Sequence, residues 1–101
     1  MTSQGKEDAE ALIAERTKLL THVRRILIDD LHVELRPEDI DPDVALFGAG
    51  LGLDSVDAVE LLVSLETELS VKVADASEAR TATRTPNIIV NTILRARSKT
   101  S

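Results

Sequence analysis

Apolar residues recur at helical spacing in three stretches of this chain, and the two long connections between those stretches break the period. From Ala9 to Leu31, the residues Leu12, Ile13, Leu19, Leu20, Val23, Ile26, Leu27 and Leu31 fall on one side of a helix, which predicts a first helix with that side in the core. Ile28 lies outside the arc. A second helix is predicted over Val56–Leu69, where Ala58, Leu61, Leu62, Leu65 and Leu69 share a core face. A last helix begins with Thr85 as its cap and Pro86 in its first turn, where proline is tolerated. Ile88, Ile89, Ile93 and Leu94 supply its packing face, and Arg95 and Arg97 suit its C-terminal end.

The connection from Val33 to Leu53 carries Pro37, Pro42, Gly48, Gly50 and Gly52, yet it also holds Val33, Leu35, Ile40, Val44, Leu46, Phe47, Leu51 and Leu53. So apolar a segment is no linker, and loops beyond about 12–15 residues without regular structure are usually functional or disordered. It is predicted to pack against the helices and deliver Ser55 to the surface. The second connection, residues 74–84, lacks any large apolar residue, so the helix there is predicted to be short or irregular. Residues 1–8 and 98–101 are polar and aperiodic and are expected to be disordered tails around one domain, 9–97.

The start of the second helix carries the chemistry. In Leu51-Gly52-Leu53-Asp54-Ser55-Val56, Asp54 can accept from backbone N–H groups of the first turn while Asp57, three residues on, adds a second negative charge. Ser55 then becomes the first helical residue. Its hydroxyl is not needed as a cap and can face solvent at the positive end of the helix dipole, where a phosphate ester is favourably placed. Serine is also common at helix starts for capping reasons alone, so the dipeptide by itself does not decide its role. No His or Lys is placed by sequence to activate the hydroxyl, which suits carriage rather than nucleophilic catalysis.

Outside its core face, the second helix holds Asp57, Glu60, Ser64, Thr67 and Glu68 on one arc, and Val56, Val59 and Val63 with Glu66 on another. The apolar surface is wider than so small a bundle needs to bury, so some of these valines are expected to be exposed. An apolar strip flanked by carboxylates fits brief docking on basic enzyme surfaces with apolar centres.

Composition narrows the classes. The chain has 101 residues, 43% of them hydrophobic, with Phe47 the only aromatic, so one modest aliphatic core is the most it can build. With no Cys it offers neither a disulfide nor a thiolate, and any thiol it uses must be imported. The net charge is -6; residues 29–78 hold fourteen Asp or Glu against Arg36 and Lys72, whereas 79–101 hold five basic residues and no acid. That balance argues against nucleic acid and anionic lipid as partners and favours basic protein patches. His22 and His32 are not spaced to share a metal, so no metal site is expected. No apolar run is long enough to span a bilayer and the first residues lack a signal peptide's apolar core, which reads as a cytoplasmic protein.

The segment from Phe47 to Leu69, with Gly52-Leu53-Asp54-Ser55-Val56 near its start, resembles the acyl carrier protein family, and the resemblance extends over roughly residues 9 to 95. It implies an all-α fold: a four-helix bundle with a long first loop and a short or irregular third helix. It implies that Ser55, preceded by Asp54, carries a 4'-phosphopantetheine arm donated by coenzyme A, whose thiol holds acyl groups as thioesters for fatty acid, polyketide or related specialised synthesis. By position, Asp57, Glu60 and Glu66 match the acidic contacts of the family's recognition helix, and Val56 and Val63 match its apolar ones. The implied partners are a phosphopantetheinyl transferase and acyl-transferring and condensing enzymes with basic docking patches, meeting a monomeric carrier. Gly-Leu-Asp-Ser points to the acyl rather than the peptidyl branch; a peptidyl or aminoacyl carrier and a non-catalytic acidic helical interaction domain stay open as alternatives. The chain departs from the family at Gly48-Ala49-Gly50, where a looser turn is expected, at Thr67 in place of an acid, and in about two extra positions within 74–84.

Overall fold

In the computed structural model, which describes residues 2–100 and the side chains of 8–98, four helices follow one another: α1 Thr2–Asp29, α2 Ser55–Leu69, α3 Ala79–Ala82 and α4 Pro86–Thr100. Single 3-10 turns at Pro37–Asp39 and Ala76–Glu78 interrupt the connections. The fold is all-α, with a long first loop and a short third helix. Met1 and Ser101, the outermost residues of the two expected tails, lie outside the described residues; the backbone of 2–8 continues α1 and that of 98–100 continues α4.

The core forms where α1, α2 and α4 face one another. Val23, Leu27, Leu61, Leu65, Ile89 and Ile93 are fully buried, joined by Ile40 and Leu46 from the long loop. Val90 is buried too, a position not assigned to the packing face of the last helix, while Ile88 and Leu94 are only half-buried. Ile28, outside the predicted arc, packs against the cluster from its edge. A smaller cluster of Ala58, Leu62 and Ala79 joins α2 to α3.

The expected core arc of α1 needs one correction, because Leu12 is 50% and Ile13 64% exposed. The reason is length. At about 1.5 Å per residue, the 28 residues of α1 span about 42 Å, whereas the 15 residues each of α2 and α4 span about 22 Å. The N-terminal turns of α1 therefore run past the helices that would cover them. Where α4 does reach, polar bonds hold it: Arg97 pairs with Glu15 at 3.1 Å and Arg16 donates to Asn91 at 2.6 Å.

The long loop is part of the packed body, as its apolar content predicts. Arg24 donates from two guanidinium nitrogens to the Ile40 carbonyl at 3.0 and 2.8 Å, fixing the loop to α1. At the other end Leu46 N–H donates to Arg84 O, Asn87 N–H to Pro42 O, and the Asn87 amide to Asp43 Oδ1, fixing it to the start of α4. Thr85 caps α4 as predicted, its Oγ1 accepting from Ile88 N–H at 3.1 Å. No helix among the described residues is long and apolar enough to cross a membrane.

These burials set a contrast that thermal or urea denaturation will read. Leu46→Ala empties a fully buried loop position and is expected to cost about 2–5 kcal/mol. Ile13→Ala should stay within about 0.5 kcal/mol of the parent, as exposed substitutions do. Comparable losses from the two would mean that the N-terminal half of α1 is covered after all.

Candidate functional site

The turn that leads into α2 is closed by its own backbone. Leu51 N–H donates to Ala45 O and Leu53 N–H to Leu46 O, both at 2.9 Å, and Phe47 pairs with Leu53 in an isolated parallel bridge. The looser turn expected from Gly48-Ala49-Gly50 is thus not what forms. Gly50 lies so close to Ala45 that a Cβ there would meet its carbonyl oxygen at 1.8 Å, and Gly52 holds a φ of 76°, open to few other residues. The glycines allow a tight turn, not a slack one. With Leu46 buried beneath it and Leu51 and Leu53 against the core, the turn has a fixed height above the bundle.

Asp54 follows in extended conformation and caps α2 reciprocally with Asp57. Asp57 N–H donates to Asp54 Oδ1 at 2.9 Å, and Asp54 N–H donates to Asp57 Oδ2 at 3.0 Å. The Asp57 N–H bond, more than any other cause, holds the Asp54 carboxyl below its ordinary value of 3.8, since it stabilises the ionised form. Ser55 is the first helical residue. Its side chain is exposed and its hydroxyl makes no hydrogen bond among the described residues. Asp54 draws the Val56 and Asp57 N–H groups to itself, and an anionic oxygen next to Ser55 would still lie at the positive end of the helix. The residues present therefore fit a phosphodiester on this hydroxyl.

Along α2, the structure brings together one exposed strip that starts at Ser55. Val56 is 73% and Val63 56% exposed, with the exposed Glu60 beside them. Val59, 39% exposed, belongs to the same strip; its place in the valine arc was the signal for it. Asp57 and Glu66 do not stand as free carboxylates on it. Asp57 is committed to the cap, and one Glu66 carboxylate oxygen is covered without a hydrogen-bond partner. Periodicity assigns a face to each, but the bond that claims Asp57 is capping chemistry within one turn, and the cover over Glu66 is set by tertiary packing. His22 Nε2 lies 3.0 Å from Glu68 Oε1, tying α1 to α2, and no group of metal-binding side chains occurs among the described residues.

Two comparisons with known proteins bear on this chain. The family described as the phosphopantetheine attachment site matches residues 21–82. An acyl carrier protein from Thermosynechococcus vestitus is 38% identical over 60 residues, which is 59% of this chain and 70% of that protein. No solved structure matches.

The cap has a pH signature. Because folding lowers the Asp54 pKa, the stability it adds is full above the ordinary carboxylate value and is lost as pH falls through the depressed one. Asp54→Asn keeps a capping oxygen but removes that titration. Melting temperature followed from neutral into the acid range should therefore fall more steeply for the parent than for Asp54→Asn, and parallel curves would contradict the cap's assignment.

Proposed function

The chain belongs to the acyl carrier protein family, and on that premise we propose that Ser55 is its attachment residue and that the exposed strip of α2 is its docking face. The protein is a carrier and not an enzyme, and its cofactor is covalently attached 4'-phosphopantetheine. One observation carries the choice of residue: Ser55 sits exposed and unbonded at the start of α2 while Asp54 and Asp57 perform the capping that would otherwise engage a hydroxyl. In the loading step Ser55 Oγ forms a bond to the phosphorus of coenzyme A's pantetheine phosphate, adenosine 3',5'-bisphosphate leaves, and the hydroxyl proton passes to a phosphopantetheinyl transferase. The arm supplies the terminal thiol that the cysteine-free chain lacks, and acyl groups ride on it as thioesters. What the chain's own residues do is hold the serine clear of the bundle and present a face to successive enzymes, which then meet the cargo at high effective concentration.

Docking rests on charge and apolar area together. Val56, Val59 and Val63 supply area that enzyme surfaces can bury, and Glu60 supplies a free charge to steer a basic patch and fix its register. Asp57 contributes to the same field through the cap, and Glu66 lies at the strip's margin. On this reading residues 9–97 act as a monomeric cytoplasmic carrier of acyl intermediates in fatty acid, polyketide or related synthesis.

Two experiments separate attachment from docking. Ser55→Ala should fold like the parent, since alanine suits a first helical turn, yet gain no mass with coenzyme A and transferase. Modification of that variant to parental extent would refute the attachment residue. Glu60→Lys should leave stability within about 0.5 kcal/mol and slow loading mainly through association, with the deficit shrinking as salt screens both surfaces. Val63→Asp should slow loading with less relief from salt. Parental rates for both at low ionic strength would move the docking face elsewhere.

A further inference from the structure

Beside the turn that ends at Ser55, the loop, α3 and the start of α4 enclose an open groove of about 540 Å³. Phe47, Ala45 and Ile88 give it apolar walls, Arg80 and Arg84 line it with charge, and no carboxylate does. The Arg80 guanidinium lies over the Phe47 ring at 5.1 Å from its centre, which holds the charge against the apolar wall. Neither arginine forms an ion pair among the described residues, although the chain has eighteen acidic side chains against twelve basic ones. The larger groove of about 740 Å³ between α3 and α4 differs: its cations Lys72 and Arg95 share it with Glu78, and Lys72 is already paired with Asp75 at 3.1 Å.

We propose that the Phe47–Arg80–Arg84 groove receives the tethered acyl group when that group ends in a carboxylate, the chain's methylenes lying on Phe47 and Ile88 and the carboxylate between the two guanidiniums. Arginine presents a planar fork of donors that matches a carboxylate, and an apolar floor under it raises the worth of the pairing. The groove's place favours a ligand carried on the chain's own arm, because Phe47 is paired through its backbone with Leu53, two residues from Ser55. The other anion within reach, the arm's own phosphodiester, is common to every loaded form and so cannot distinguish one cargo from another. This proposal rests on Ser55 being the attachment residue.

The test loads the chain from succinyl-coenzyme A and from 4-methylpentanoyl-coenzyme A, whose acyl groups have the same number of heavy atoms and differ in charge. Loading is confirmed by intact mass, and melting temperature is compared with the unacylated, arm-bearing form. The succinyl form should melt higher than the 4-methylpentanoyl form and shift the Arg80 and Arg84 Nε–H resonances. The melting difference should vanish in the Arg80→Gln, Arg84→Gln double variant, whose exposed side chains make it unlike a core substitution. A chain that takes up no arm refutes this proposal together with the attachment residue, and is told apart by its unchanged mass. A chain that loads but melts alike with both cargoes, or keeps the difference in the double variant, refutes the groove alone.

Discussion

The reciprocal bond pair between Asp54 and Asp57 is the constraint on which the rest of this molecule's use depends. A helix start must satisfy its free N–H groups with something, and a serine in the neighbourhood would ordinarily be that something. Here one carboxylate takes the Asp57 N–H and the other returns to the Asp54 N–H, so the helix begins without asking anything of Ser55. The register matters as much as the bonds. A slip of one residue would turn the serine into a cap and hide it; the Leu46–Leu53 and Ala45–Leu51 hydrogen bonds, with Gly50 pressed against Ala45, prevent that slip.

Charge is divided along the chain as well. From Asp29 to Glu78 the chain is acidic, and beyond it the remainder is basic. Ser55 stands where α2 carries valines and Glu60 outward, while Arg80 and Arg84 line a groove walled by Phe47 of the same turn. A group anchored at that point would have an acidic, apolar face for enzymes on one hand and a cationic shelter on the other. Long-range charge of the first kind acts on encounter rates and fades with salt, whereas close pairing of the second kind acts on what is held after encounter.

Much of this was legible in the sequence, and the parts that were not share a cause. Asp54 as cap and Ser55 as first helical residue follow from local capping chemistry, which depends on residues within one turn; Asp57 was placed there only as a second negative charge, and its return bond to the Asp54 N–H came from the structure. Thr85 before Pro86 is local in the same way. Three buried arcs were legible because amphipathic spacing reflects burial wherever a partner helix exists. Leu12 and Ile13 obey the spacing but have no partner opposite, and pattern alone cannot see the length of other helices. The tight turn at Gly48–Gly50 depends on Ala45, and the cover over Glu66 depends on tertiary packing. The Arg80 contact with Phe47 joins residues 33 positions apart, so only the basic bias of 79–101 hinted at it.

The central claim is that this turn exists to hold one particular hydroxyl in reach of an incoming phosphate, and fragmentation of the modified peptide tests it most directly. After incubation with coenzyme A and a phosphopantetheinyl transferase, tryptic cleavage at Arg25 and Lys72 yields a peptide that contains Ser55, Ser64 and Ser70 together. Tandem mass spectrometry should place the entire added mass on Ser55. Added mass on Ser64, Ser70 or any residue outside that peptide would contradict the account.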